Sequence, residues 1–159
     1  MTIAVGDKLP NVDLYRMGAK SPEKVSSREL FAGKKTVLFA VPGAFTPTCS
    51  QAHLPGYVVK ADELLAKGVD QIVCLSVNDA FVMNAWGQQQ NAGKILMIAD
   101  GSGDFTRAVG LEMDLGARGL GQRSQRYAMV VEDGVVTHLN VEEPGKFEVS
   151  GADTMLGIL

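Results

Sequence analysis

The chain has 159 residues, enough for one domain with a real core. Hydrophobic residues make up 46% and charged residues 21%, which is the balance of a soluble globular protein. A formal charge of -3 leaves no dominant basic field, which argues against a general nucleic-acid or anionic-membrane binder.

Residues 1–7 lack a basic n-region, and no apolar run is long enough to span a bilayer, so a cytoplasmic location is the default expectation. Residues 2–15 read as an extended opening, punctuated at Val5-Gly6-Asp7 and Leu9-Pro10. A polar connection follows over 21–27. Ser27 suits the cap of a short helix, Arg28-Glu29-Leu30-Phe31, that stops at Gly33. The apolar, largely β-branched run 36–41 predicts a buried strand ending at the Pro42-Gly43 turn. Thr46, Pro47 and Thr48 suit a helix start, with the hydroxyls capping free N–H groups. That helix runs to about Ala66, with Gly68 as its stop, and Pro55 inside it predicts a kink.

Further on, 71–77 is an apolar strand. Asp79 caps a helix carrying Phe81, Val82, Ala85 and Trp86. Residues 94–99 form another buried strand, 104–110 a short helix, and the glycine-rich stretch 116–121 a flexible loop. The Asp133-Gly134 turn joins 126–132 to 135–141 as a β-hairpin, and 153–159 closes the chain as a helix. Strands alternating with helices, then a hairpin and a helix, predict an α/β sandwich with a central mixed β-sheet flanked by helices, as a single domain over 1–159.

Cys49 stands out. It falls in the first turn of a helix at the C-terminal edge of a central strand, where unpaired N–H groups and partial positive charge favour a thiolate. Open α/β sheets place their ligands at that edge. A lone cysteine is more often a small buried hydrophobe, but this position weighs against that reading. Two widely separated cysteines, Cys49 and Cys74, make neither a disulfide framework nor a zinc site, and they fit a reducing compartment.

The spacing Pro42-x-x-x-Thr46-x-x-Cys49 resembles the active-site signature of the peroxiredoxins, thiol peroxidases on a thioredoxin-like fold. The string from Pro42 to Ser50, followed by His53-Leu54-Pro55-Gly56-Tyr57, is similar to the type II, or type-five, subfamily. Ser76-Val77-Asn78-Asp79, Ala85-Trp86 and Arg126-Tyr127-Ala128-Met129 extend the likeness over essentially the whole chain. The resemblance implies that Cys49 attacks a hydroperoxide and becomes a sulfenic acid. It assigns Thr46 to orient the peroxide, Pro42 to shield the pocket, and Arg126 to supply fixed positive charge. Arg126 precedes an apolar strand, where a charge needs a partner. Arg118 and Arg123 read as solvated, and His138, on the outer hairpin, as structural or solvent-facing. His53 is given a minor supporting role. Gly101-x-Gly103 is a weak phosphate signal.

Cys74 sits between Val73 and Leu75 and reads as core. From Cys49 the helix descends about 17 residues, roughly 25 Å. The next strand returns only roughly 10–13 Å before Cys74, too little for a disulfide, which wants Cα atoms within about 7 Å. Some type II relatives carry a resolving cysteine near the C-terminus, but the segment Phe147-Glu148-Val149-Ser150-Gly151 has none. The expectation is a one-cysteine cycle without metal, haem or flavin, using an external thiol such as glutathione, with glutaredoxin or thioredoxin as partner. A homodimer is implied by the resemblance, with 79–86 as its candidate interface. A general thiol–disulfide oxidoreductase is disfavoured because no Cys-x-x-Cys is present. A redox sensor or chaperone remains the rival from another class, and turnover separates it from a peroxidase.

Overall fold

The computed structural model describes residues 1–159. Its centre is the parallel trio β3 (Lys35–Val41), β4 (Gln71–Ser76) and β5 (Leu96–Ala99). On one side β8 (Tyr127–Glu132) pairs antiparallel with β3, and β9 (Val135–Val141) with β8. On the other, β1 (Asp13–Met17) touches β5 only at Tyr15↔Ala99 and carries β2 (Pro22–Ser26) at the edge. The seven-stranded order is β2-β1-β5-β4-β3-β8-β9, the mixed sheet expected from the alternation of elements. The polar stretch expected as a connection over 21–27 is the edge strand β2. Proline is tolerated at Pro22 because it is the first residue of an edge strand.

β3 is buried on both faces. Val37, Phe39 and Val41 join one core layer, while Leu38 and Ala40 join the other. This explains its unbroken apolar run. The first layer is covered by α2 (Leu54–Ala66), α3 (Ala80–Gln89) and α5 (Ala152–Ile158). The second is covered by α1 (Ser27–Phe31) and α4 (Asp104–Ala108). Asp79 caps α3 as expected, its carboxylate accepting from Val82 N–H at 2.8 Å. Ser26, not Ser27, caps α1. The Ser27 hydroxyl instead donates to the Pro10 carbonyl.

The stretch 116–121, expected as a flexible loop, has regular structure at both ends. It is a 3-10 turn joining β6 (Glu112–Leu115) to β7 (Gly121–Ser124), a separate two-stranded ribbon. Glycine content marked the turn but hid these short, half-polar strands. The β8–β9 hairpin turns at Asp133 (φ 49°) and Gly134 (φ 79°), both left-handed as a two-residue turn requires.

Around Pro55, where a kink is expected, the helix changes type. Cys49–His53 is a π-helical turn, and α2 begins after it at Leu54. The Leu54 N–H reaches back five residues to the Cys49 carbonyl. Pro55 thus falls in the first turn of α2, directly after the π turn.

Candidate active site

The strand–turn–helix passage at 41–50 is held from three sides. Asn78 Oδ1, just past β4, accepts from Ala44 N–H at 2.9 Å. The Trp86 indole donates to Ser50 Oγ at 3.0 Å, and Gln90 donates to the Ser50 carbonyl at 3.2 Å, so α3 clamps the π turn. Arg123 donates to the carbonyls of Leu120 and Pro42, at 2.9 and 3.3 Å. It is therefore a bracket on the Pro42 turn and not the solvated charge expected. Gly43 permits this approach, since a Cβ there would lie 2.7 Å from the Arg123 guanidinium. Arg118 is exposed, as is His138. Phe45 has φ 66°, a sterically costly value for a bulky residue, and its ring lies 6.4 Å from that of Trp86.

Cys49 is fully buried at the base of this passage. Its Sγ accepts a hydrogen bond from Arg126 Nη2 at 3.1 Å. Arg126 lies one residue before β8, and the antiparallel pairing of β8 with β3 brings it across to the Cys49 turn. Pro42 and Thr46 are half-buried in the turn that leads to Cys49. The Thr46 hydroxyl donates to the Gly43 carbonyl at 2.7 Å. It does not cap the helix as expected, because no backbone N–H donates to its oxygen, which is left as an acceptor.

The partner that Arg126 needed is His53. Arg126 Nη1 lies 2.8 Å from His53 Nδ1. A guanidinium has no lone pair to give, so Nδ1 accepts and the ring proton sits on Nε2. Nε2 then donates to the Ser150 carbonyl at 3.0 Å, where Tyr57 OH also donates at 2.8 Å. The ring is packed between Phe39 and Phe147, each 4.9 Å away. Phe147 also lies under the Arg126 guanidinium, 5.9 Å from its centroid. Burial first, and the Arg126 charge second, lower the His53 pKa from 6.5 to about 3. His53 is therefore neutral with its lone pair engaged. It orients Arg126 and is not a base for Cys49.

This has a stability consequence. Between pH 6.5 and 5 the unfolded chain takes up a proton at His53 that the folded chain refuses. Stability then falls as pH falls, by roughly 1.5 kcal/mol from this group. Urea unfolding at both pH values, in wild type and His53→Gln, checks this. The expected result is a steeper loss in wild type, and equal losses would remove His53 as the source.

Cys74 pairs in register with Phe39 and Met97 and is wholly buried. Burial pushes its thiol pKa well up, and the neighbouring Cys49 adds to the rise. Both cysteines are free. A cavity of about 490 Å³ flanks the site between the π turn (Gln51, Ala52), the start of α2 and the segment from Phe147 to Thr154.

A thioredoxin-like scaffold holding one buried cysteine under an arginine, at the end of a central strand, defines a thiol-based redox protein. Similarity to known proteins agrees. The redoxin family model matches residues 4–156. Peroxiredoxin-2E-2, chloroplastic, of Oryza sativa subsp. japonica is 56% identical over 164 residues, covering 99% of this chain and 73% of that one. Peroxiredoxin-2B of Arabidopsis thaliana is 50% identical, covering 99% and 98%. The crystal structure of reduced Prx3 in complex with H2O2 from Vibrio vulnificus superposes with a TM-score of 0.96 at 61% identity, covering 99% of both chains. The chain belongs to the redoxin family and, within it, to the type II peroxiredoxins.

Proposed function

We propose that this protein is a thiol-dependent peroxidase reducing hydrogen peroxide and small alkyl hydroperoxides, with a role in antioxidant defence. The observation that carries this is the Arg126 guanidinium 3.1 Å from the buried Cys49 sulfur. The thiolate attacks one peroxide oxygen, the O–O bond breaks, and the departing oxygen takes up a proton, giving Cys49 sulfenic acid and water or an alcohol. Arg126 supplies positive charge where negative charge develops. Thr46 offers its oxygen to the peroxide proton, and Pro42 keeps water off the sulfur. Complete burial of Cys49 favours small hydroperoxides over bulky ones.

The one-cysteine cycle is part of the same proposal. An external thiol, glutathione, attacks the sulfenic sulfur and releases water. A second thiol, delivered through glutaredoxin or thioredoxin, then reduces the mixed disulfide. No metal, haem or flavin takes part. Two free cysteines suit a reducing compartment, the cytoplasm in the simplest case. A homodimer fits the exposed rings of Phe45, in the active-site turn, and Phe81, on α3, which are 49% and 63% accessible.

Single-turnover oxidation of the reduced protein by hydrogen peroxide tests this, with the product mass recorded after glutathione is added and Cys49→Ser as the blank. Fast oxidation followed by one glutathione adduct on Cys49 is the expected result. Oxidation no faster than that of an ordinary free thiol would favour a sensor. Cys74→Ala is expected to turn over at the wild-type rate with glutathione, because its thiol is sealed in the core and held protonated. A folded Cys74→Ala protein that cannot be recycled would overturn the one-cysteine cycle.

A further inference from the structure

Glu142 follows β9 directly and is only 5% exposed. Its carboxylate accepts from the backbone N–H groups of Glu148, Val149 and Ser150, and from the Ser150 hydroxyl at 2.7 Å. Burial pushes its pKa up, but the Ser150 hydroxyl and the three N–H groups outweigh that and hold it below the ordinary carboxylate range. The group is therefore charged and fully engaged at neutral pH.

The caged segment ends in the carbonyl that receives His53 Nε2–H and Tyr57 OH. Glu142 is tied to Arg126 by a second route, since its own N–H donates to the Arg126 carbonyl at 2.9 Å. The open end of the β8–β9 hairpin thus carries Arg126 on one strand and Glu142 on the other. Arg126 reaches forward to Cys49. Glu142 reaches back to the segment that steadies the partner of Arg126. The contacts close a ring from Glu142 through Ser150, His53 and the Arg126 side chain to the Arg126 backbone.

We propose that Glu142 is a positioning residue for the peroxidatic centre: its carboxylate fixes residues 148–150 so that the Ser150 carbonyl holds His53, and through it Arg126, against Cys49. This rests on the peroxidase reading above. Only a carboxylate suits the cage. Four donors converge on its Oε2, and a glutamine there loses the charge they meet and sets its own NH2 against the Glu148 N–H. A misplaced Arg126 loses rate because its charge no longer meets the sulfur and the polarised O–O bond in line.

The test uses reduced, 15N-labelled protein and two readouts: the single-turnover rate with hydrogen peroxide and the ring N–H resonance of His53. In Glu142→Gln the expected results are oxidation on the order of tenfold slower, and loss of the protected Nε2–H signal. Ser150→Ala, which removes one of the four donors and keeps the carbonyl, is expected to shift both readouts less, in the same direction. If Glu142→Gln does not fold, Ser150→Ala carries both readouts. Wild-type oxidation rate in the variant would overturn the proposal. So would a slowed rate with the His53 resonance unchanged, which would leave Glu142 as a mere loop closure. If the wild type itself reacts like an ordinary thiol, the peroxidase reading fails, while the His53 resonance still decides whether Glu142 positions the ring.

Discussion

Arg126→Gln is expected to slow the reaction of Cys49 with hydrogen peroxide by about two to three orders of magnitude, the usual cost of removing one preorganised donor from a developing charge. The glutamine amide retains a donor but no charge, and it does not reach Sγ and His53 Nδ1 together, as the guanidinium does at 3.1 and 2.8 Å. Arg126→Lys keeps the charge and loses the fork, so its rate is expected to lie between the two. The effect falls on chemistry more than on folding, because Arg126 is only partly buried and sits outside the ladder of β8. Stopped-flow oxidation of the three proteins, alongside their thermal midpoints, separates the two contributions. A loss of less than about threefold in Arg126→Gln would mean that electrostatic help at the sulfur is small.

Phe39→Ala is expected to cost about 3–5 kcal/mol of stability. For a chain of this size that lowers the thermal midpoint by roughly 6–20 °C. Phe39 has no exposed surface, stacks on Tyr57 at 3.9 Å with an interplanar angle of 3°, and forms part of the wall against His53. Removing the ring opens a cavity beside an interior strand of the sheet, where neighbours on both sides are fixed by ladders and cannot collapse into it. Phe81→Ala is the control. That ring is 63% exposed on α3, and at low protein concentration, where the proposed homodimer dissociates, its removal is expected to change stability by about 0.5 kcal/mol or less. Calorimetry on both variants checks the contrast, and a similar small change in each would mean that the layer around Phe39 repacks.

The fold was legible where sequence carries a local signal. The buried strand before Pro42, the Asp79 cap and the Asp133-Gly134 hairpin each follow from a few adjacent residues, and the structure has all three. Short polar strands lacked such a signal, so β2 and the β6–β7 ribbon passed for a connection and a loop. At the site, the need of Arg126 for a partner was legible from its place before an apolar strand. Which partner was not, because His53 lies 73 residues away and only the crossing of β8 beside β3 brings them together. His53, read as a minor helper of Cys49, is instead the seat of Arg126. Ser150 and Glu142 gave no signal at all, since their part is played by a backbone carbonyl and a surface-type residue buried by tertiary contacts. Arg123 was misjudged for a related reason. Arginines are mostly exposed, and its acceptor is a carbonyl 81 residues away.

The sheet order has a temporal meaning. β3 and the Cys49 turn leave the ribosome well before β8, yet the sulfur meets its guanidinium only when a strand 77 residues later slots in beside β3. The Ser150 carbonyl that steadies His53 comes later still, 97 residues beyond the ring. Closures of that length are late steps, because loop entropy is lost before the contacts form. A growing or half-folded chain therefore carries Cys49 without its arginine, and the sulfur–guanidinium contact is made only when the distant strand arrives.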